Sequence, residues 1–349
     1  MEIAAGVAML SVRISAGRFP ALRTSASRYT VHKPPMSESN SAVQADLFED
    51  FADILRGELK RAGFSGISSD PDVVCRHFEN YHRRRVSVQP REVHRAQPFH
   101  FPSESDFSEH ELRSRVEAVA EKAEEGRDLN PHLSRNLSNV SYNDGILNDW
   151  GIHHFHLGDE IESDGFIERT GELLYARVKD EDFYMIGVYG HDSFSDKDLI
   201  SVENNNWPEV IERFKLPEDI ELLCSYDDDQ IREARDAGVQ VAIELDDGTV
   251  YIHPGGGYAS TGEGADNVLA ANAIKTIFSQ IERQLEEEAQ DLIRAANREG
   301  FDIDPPMDLQ LKIDGAQAFA VEMDSNAAFF VIDMEEYPCF ANFVETRKT

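Results

Sequence analysis

Asn148-Asp-Trp-Gly-Ile-His-His-Phe-His-Leu-Gly158 opens the stretch around which the fold is read. Glu172-Leu-Leu-Tyr-Ala-Arg-Val178 follows, then a charged Lys179-Asp-Glu-Asp182 turn, then Phe183-Tyr-Met-Ile-Gly-Val-Tyr-Gly-His191. Three segments of strand length separated by turn chemistry predict a small antiparallel sheet. In the first strand, alternation sends His154 and His156 to one face and His153, Phe155 and Leu157 to the other. In the second, Leu174, Ala176 and Val178 form an apolar face with Tyr175 and Arg177 opposite. In the third, Tyr184, Ile186 and Val188 read as core, with Met185, Gly187 and Tyr189 opposite. Aligned faces bring His154, His156, Tyr175, Arg177 and the strand-end His191 together, with Arg169 at the edge.

Upstream, apolar residues at Val43, Leu47, Phe51, Leu55 and Leu59 recur at helical spacing. Asp70-Pro71 starts a second helix, with proline in its first turn. That helix runs into a basic island of Arg76, His77, His82, Arg83-Arg84-Arg85, Arg91, His94 and Arg95. The island reads either as a contact for phosphate or an acidic partner, or as internal pairing with the chain's own carboxylates. Residues 98–108 read as loop and Glu109 to Glu125 as a polar helix with a thin apolar stripe.

Downstream, short helices are expected at 197–202 and 208–214. A helix capped by Asp227-Asp-Asp229 should stop at Gly238. A hairpin turns at Asp247-Gly248, and Gly255-Gly-Gly257 reads as a flexible connection into the longest helix, 264–299. Three strands close the sequence. The fold class is therefore α+β: a central antiparallel sheet with flanking helices, a helical N-terminal region, and a C-terminal α+β domain with one long helix. Expected boundaries fall at 1–41 (disordered or leader extension), 42–129, 130–222 and 223–349.

A net charge of −32 over 349 residues repels polyanions at long range, so nonspecific nucleic-acid binding is excluded and any RNA contact must be local or partner-delivered. Three widely spaced cysteines, Cys75, Cys224 and Cys339, exclude a disulfide framework or a cysteine-rich zinc site. A reducing cytoplasm is the expected compartment. No apolar run is long enough for a membrane helix.

Histidines beside a guanidinium are what metal-free RNA cleavage needs. A base takes the 2′-OH proton, an acid protonates the leaving 5′ oxygen, and arginine stabilises charge on the phosphoryl oxygens. The segment also resembles the RelE/YafQ-like toxins, messenger-RNA endonucleases of toxin–antitoxin systems. His156, the 173–178 strand, Asp180-Glu-Asp182, the 183–189 strand and Gly190-His-Asp-Ser-Phe194 look like the series in that family, and Arg169-Thr-Gly171 resembles its arginine position. The resemblance is confined to about residues 150–200. It implies an acid–base pair of His156 and His191, phosphate stabilisation by Arg169 or Arg177, stacking on Phe194, no cofactor, and RNA and an antitoxin as partners. His154 is a further catalytic candidate, with Tyr175 and Tyr189 as substrate-facing rings.

Two rivals stand beside this reading. His154-x-His156 followed by Glu160 has the spacing of half a cupin metal motif, with His191 as a further ligand for a divalent transition metal. Alternatively the histidines are structural and the acidic surface binds a partner protein.

Overall fold

The sheet signals become sheet, and the class is α+β. The computed structural model describes residues 41–191, 193–218, 220 and 222–347, together with the backbone of Gly17–Arg18. The expected extension over 1–41 lies, but for Gly17–Arg18 and Ser41, outside the described residues. In chain order the elements are β1 (Gly17–Arg18), β2 (Val43–Ala45), α1 (Leu47–Arg61), α2 (Pro71–Arg84), β3 (Glu92–His100), α3 (Glu109–Glu124) and α4 (Gly145–Trp150). Next come β4 (His153–His156), β5 (Glu172–Val178), β6 (Asp182–Gly190), α5 (Asp198–Asn206), α6 (Pro208–Ile211), α7 (Asp228–Asp236), β7 (Ile243–Glu244) and β8 (Val250–Tyr251). Last are α8 (Ala265–Arg298), β9 (Met307–Asp314), β10 (Gln317–Glu322), β11 (Ala327–Asp333) and α9 (Ala341–Glu345).

These elements form two compact units, Met1–Cys75 with Ala270–Thr349, and Arg76–Leu269. The boundaries expected at 129 and 222 are thereby corrected, since both fall inside the second unit. The cause is long-range pairing that composition does not reveal. In the first unit β2 runs parallel to β9, in a sheet ordered β1-β11-β10-β9-β2. Glu286 on α8 accepts from the backbone N–H groups of Ala42 and Val43, and Glu282 from that of Leu47. The helical spacing read from Val43 becomes helix only from Leu47, where the Asp46 carboxylate caps the first turn through Glu49 N–H. Phe51 on α1 packs at 5.1 Å from Phe278 and 5.0 Å from Phe343, anchoring the apolar stripe.

The second unit is built on a sheet ordered β3-β6-β5-β4. β4, β5 and β6 are antiparallel neighbours, and β3 adds in parallel to β6. Sequence reading missed β3, whose Glu-Val-His-Arg-Ala-Gln lacks an apolar face. One face of the sheet meets α3. The α3 residues Leu112, Val116 and Val119 recur at helical spacing behind a Ser108/Glu111 capping box, and they join Phe155, Leu174 and Phe183 in one core. The other face carries Ile152, Leu173, Tyr175 and Ile186 against Trp150, Leu199 and Ile200. Both faces are covered, so every residue of β4 is buried.

The expected partition of β6 needs correction. Tyr175 pairs with Gly187 while Ala176 pairs with Met185, so Ile186 is an extra residue in the ladder. That bulge sends Met185 and Val188 to the α3 face and Ile186 and Tyr189 to the opposite one.

Candidate functional site

The site starts at α4. Asp144 caps its first turn through Leu147 N–H, and Gly151 ends it in the left-handed region at φ 72°. A helix of this length leaves nearly all its carbonyls without internal partners, and here distant groups take them. Gly255 N–H donates to Asp149 O and Gly257 N–H to Asn148 O, each at 2.8 Å. Arg177 Nη2 donates to Trp150 O at 2.6 Å, and Arg83 Nη2 to Leu147 O at 3.3 Å. A Cβ on Gly255 would run into Gly151 N and Leu147 O. The glycine run expected to be a flexible connection is therefore a tightly packed lock.

From Gly151 the chain enters β4, and alternation does what the sequence implies. His154 pairs with Tyr175 and His156 with Leu173, so both imidazoles point away from α3. The His156 ring centroid lies 5.8 Å from His191, and His154 lies 6.5 Å from His191. Phe194 sits 5.0 Å from His154 and 5.3 Å from His191. These four side chains line a cleft of about 760 Å³, with Arg169 also at its wall. His154 and His156 are buried at the floor, whereas His191 and Arg169 are exposed.

The surroundings of His156 fix its chemistry. Thr170 N–H donates to Nδ1 at 3.3 Å, so the neutral ring carries its proton on Nε2. Thr170 Oγ1 in turn accepts from Leu157 N–H and donates to Glu172 O, which holds the end of the strand. Burial, and then the neighbouring His154, His191 and Arg169, push the His156 pKa down to about 4. Burial also lowers that of His154, whose Nδ1 is sealed without a hydrogen-bond partner. Behind the strand, Lys122 Nζ donates to His132 Nε2 and His132 Nδ1 to His156 O, both at 2.7 Å. Burial lowers the His132 pKa to about 4 as well.

A second set of residues, missed by sequence reading, organises the far wall. Arg235 on α7 donates to Asp149 Oδ2 at 3.0 and 2.8 Å and to the carbonyl of Phe194. Its guanidinium lies 4.7 Å from the Trp150 ring centroid. Asp149 Oδ1 faces His253 Nδ1 at 2.7 Å. Arg235 thus ties the turn carrying Phe194 to α4. The cap at Asp227 made the helix legible, but nothing in its sequence links Arg235 to the histidines. Arg232 and Asp236 from the same helix, and Asp144, complete the charged wall. Arg169 makes no ion pair among the described residues, so it is an uncommitted cation.

Three expected site residues are corrected. Arg177 is on the predicted face but spent: it is buried and pairs with Glu203 at 2.6 and 2.7 Å, with its remaining donors on backbone carbonyls. Tyr175 is fully buried and donates to Gly190 O at 3.0 Å. Tyr189 is a core ring stacked on His100 at 4.4 Å. Neither tyrosine lines the cleft, because their part of this sheet face is packed against Trp150, Leu199 and Ile200 rather than open.

The metal-ligand set His154, His156, Glu160 and His191 does not converge. Glu160 is exposed in the 159–168 turn. Among the described residues, the trio that brings three possible ligand atoms within 4.8 Å is Glu92, His94 and Asp182. A proton on Nε2 of His156 also leaves no lone pair there for an ion. The basic island is largely paired internally: Arg76 with Glu263 at 2.8 Å, Arg83 with Asp266 at 2.8 Å, Arg95 with Glu117, and His94 with Asp182 at 2.7 Å.

No protein-family model matches the chain, and no curated protein or solved structure is detectably similar to it.

Proposed function

We propose that the chain is a metal-independent endoribonuclease of toxin type. The observation that carries the reading is the approach of His191 to His156, 5.8 Å between ring centroids, in a cleft that also holds His154 and the uncommitted Arg169. His154, neutral at working pH because burial lowers its pKa, takes the 2′-OH proton. The oxygen attacks the adjacent phosphorus, and His191 protonates the departing 5′ oxygen, leaving a 2′,3′-cyclic phosphate and a 5′-hydroxyl. His156 Nε2–H and Arg169 donate to the phosphoryl oxygens as charge grows there. Phe194 offers a face on which a base can stack. His156 is thus assigned to oxyanion stabilisation rather than proton transfer.

The resemblance of residues 150–200 to RelE/YafQ-like toxins supports the same reaction. A cytoplasmic location and an antitoxin or other protein partner belong to this proposal. No helix among the described residues is long and apolar enough to cross a membrane. The charge of −32 favours RNA delivered to the cleft as a short single strand over capture of a large polyanion.

The deciding experiment incubates the protein with single-stranded RNA, with and without EDTA, and identifies the ends. Cleavage that persists in EDTA and yields cyclic phosphate supports the proposal. Cleavage abolished by EDTA, or none under any condition, overturns it.

A further inference from the structure

We propose that a second depression, on the opposite side of β4 from the histidine cleft, binds a compact phosphate dianion, either free or carried as a phosphomonoester. Successive residues of a strand face opposite ways: His154 lines the cleft, and His153 lines this depression of about 540 Å³. The proposal does not rest on the ribonuclease reading.

The floor points to a ligand. His153 is 9% exposed, and neither Nδ1 nor Nε2 has a hydrogen-bond partner. Arg83 Nε is likewise sealed without one. Buried polar atoms are ordinarily satisfied, and each such orphan calls for an acceptor or donor from outside. Burial lowers the His153 pKa to about 4, so the ring is neutral and offers one N–H donor.

The walls supply the positive charge. Arg85 makes no ion pair among the described residues, and its guanidinium lies 5.2 Å from the Tyr81 ring centroid. Lys179 makes none either. Burial, with Arg177 and Arg213 nearby, pushes its pKa down, so an anion beside it is favoured. Arg91 draws the two lips together, donating to Lys179 O and Ser87 O, both at 2.9 Å, and to Ser87 Oγ at 2.7 Å. A planar guanidinium and an ammonium lining the same depression suit the tetrahedral oxygens of phosphate.

Carboxylates are also present and set the size of the ligand. Asp182 is engaged by His94 at 2.7 Å, while Asp180 and Glu181 stand exposed at the rim. A polyanion lying across that rim is repelled. A small anion that reaches the floor is not.

The test titrates the full-length protein calorimetrically with inorganic phosphate and, separately, with adenosine monophosphate. Saturable one-to-one binding is expected. Tighter binding of the nucleotide identifies a phosphomonoester as the ligand, and equal binding identifies free phosphate. Arg85→Ala and Lys179→Ala should each weaken binding at least tenfold, Lys179→Arg should retain it, and Arg113→Ala, which lines neither depression, should leave it unchanged. Melting curves check that the variants fold. No saturation at millimolar probe, binding that survives Arg85→Ala and Lys179→Ala, or binding lost in Arg113→Ala alone would overturn the proposal.

Discussion

The backbone N–H of Thr170 donates to Nδ1 of His156 at 3.3 Å, and this bond decides which ring nitrogen a substrate meets. A second proton on Nδ1 would face that N–H, so acid–base cycling at His156 is opposed while donation from Nε2 is kept. His191, exposed directly after β6, carries no such hydrogen bond among the described residues.

His191→Ala is accordingly expected to lower RNA cleavage by about 10²–10⁴-fold, the range of a lost proton-transfer group. His156→Gln, which keeps a donor, should lose less than His156→Ala. Initial rates on single-stranded RNA, with circular dichroism to check folding, read both. Equal losses in Gln and Ala would contradict the donor role, and full activity in His191→Ala would end the ribonuclease proposal.

Stability should fall with acid well before the carboxylates titrate. His132, His153 and His156 each have a pKa near 4 in the folded chain against about 6.5 unfolded. Between those values the unfolded chain binds more protons. The stabilisation is therefore complete above about pH 6.5 and is lost as pH falls toward 4, at up to about 1.4 kcal/mol per pH unit for each histidine. Urea midpoints at pH 7.5 and 5.5 test this, and His132→Gln should flatten the slope. An unchanged midpoint would mean that the imidazoles are not held neutral by burial.

Glu203→Ala should cost about 3–5 kcal/mol, because it leaves the Arg177 guanidinium buried and unpaired. Replacing both residues, as Arg177→Met with Glu203→Leu, should cost less than the single change. Denaturant melts of the three chains decide it. A surface-like loss below about 1 kcal/mol would show that Arg177 is free after all.

Gly255→Ala should destabilise the second unit by about 1–3 kcal/mol, the usual cost of overpacking, since its Cβ meets backbone rather than a movable side chain. Gly262→Ala is the contrasting control: unlike Gly255 it sits at positive φ, but it has open space around it. A Gly255→Ala chain that melts like the parent would return the run to the status of a linker.

What the sequence made legible follows the range of the interactions. Alternation along 152–157 and 172–178 placed His154 and His156 correctly, because strand parity is a local property. The bulge at Ile186 escaped, since an extra residue shows only against its partner strand. So did β3, which is held by its neighbour rather than by an apolar pattern. Arg177 reads as a substrate group in the sequence because Glu203, 26 residues away, gives no local sign of pairing with it. The long helix was plain from its apolar stripe, whereas its bonds from Glu282 and Glu286 to residues 41–47 span more than 230 positions and leave no periodic trace.

The carbonyls of α4 are claimed by groups from residues 83, 177, 255 and 257, so this six-residue helix gains its partners only after chain segments some 170 positions apart have arrived. A helix that short does not persist alone in water. The wall of the histidine cleft must then be among the last parts to order during folding, and its amides should exchange with deuterium at the rate of whole-unit opening rather than by local fraying. A chain that lacked the 253–257 loop would keep His154, His156 and His191 in its sequence, yet would lack the donors that hold the short helix beside them.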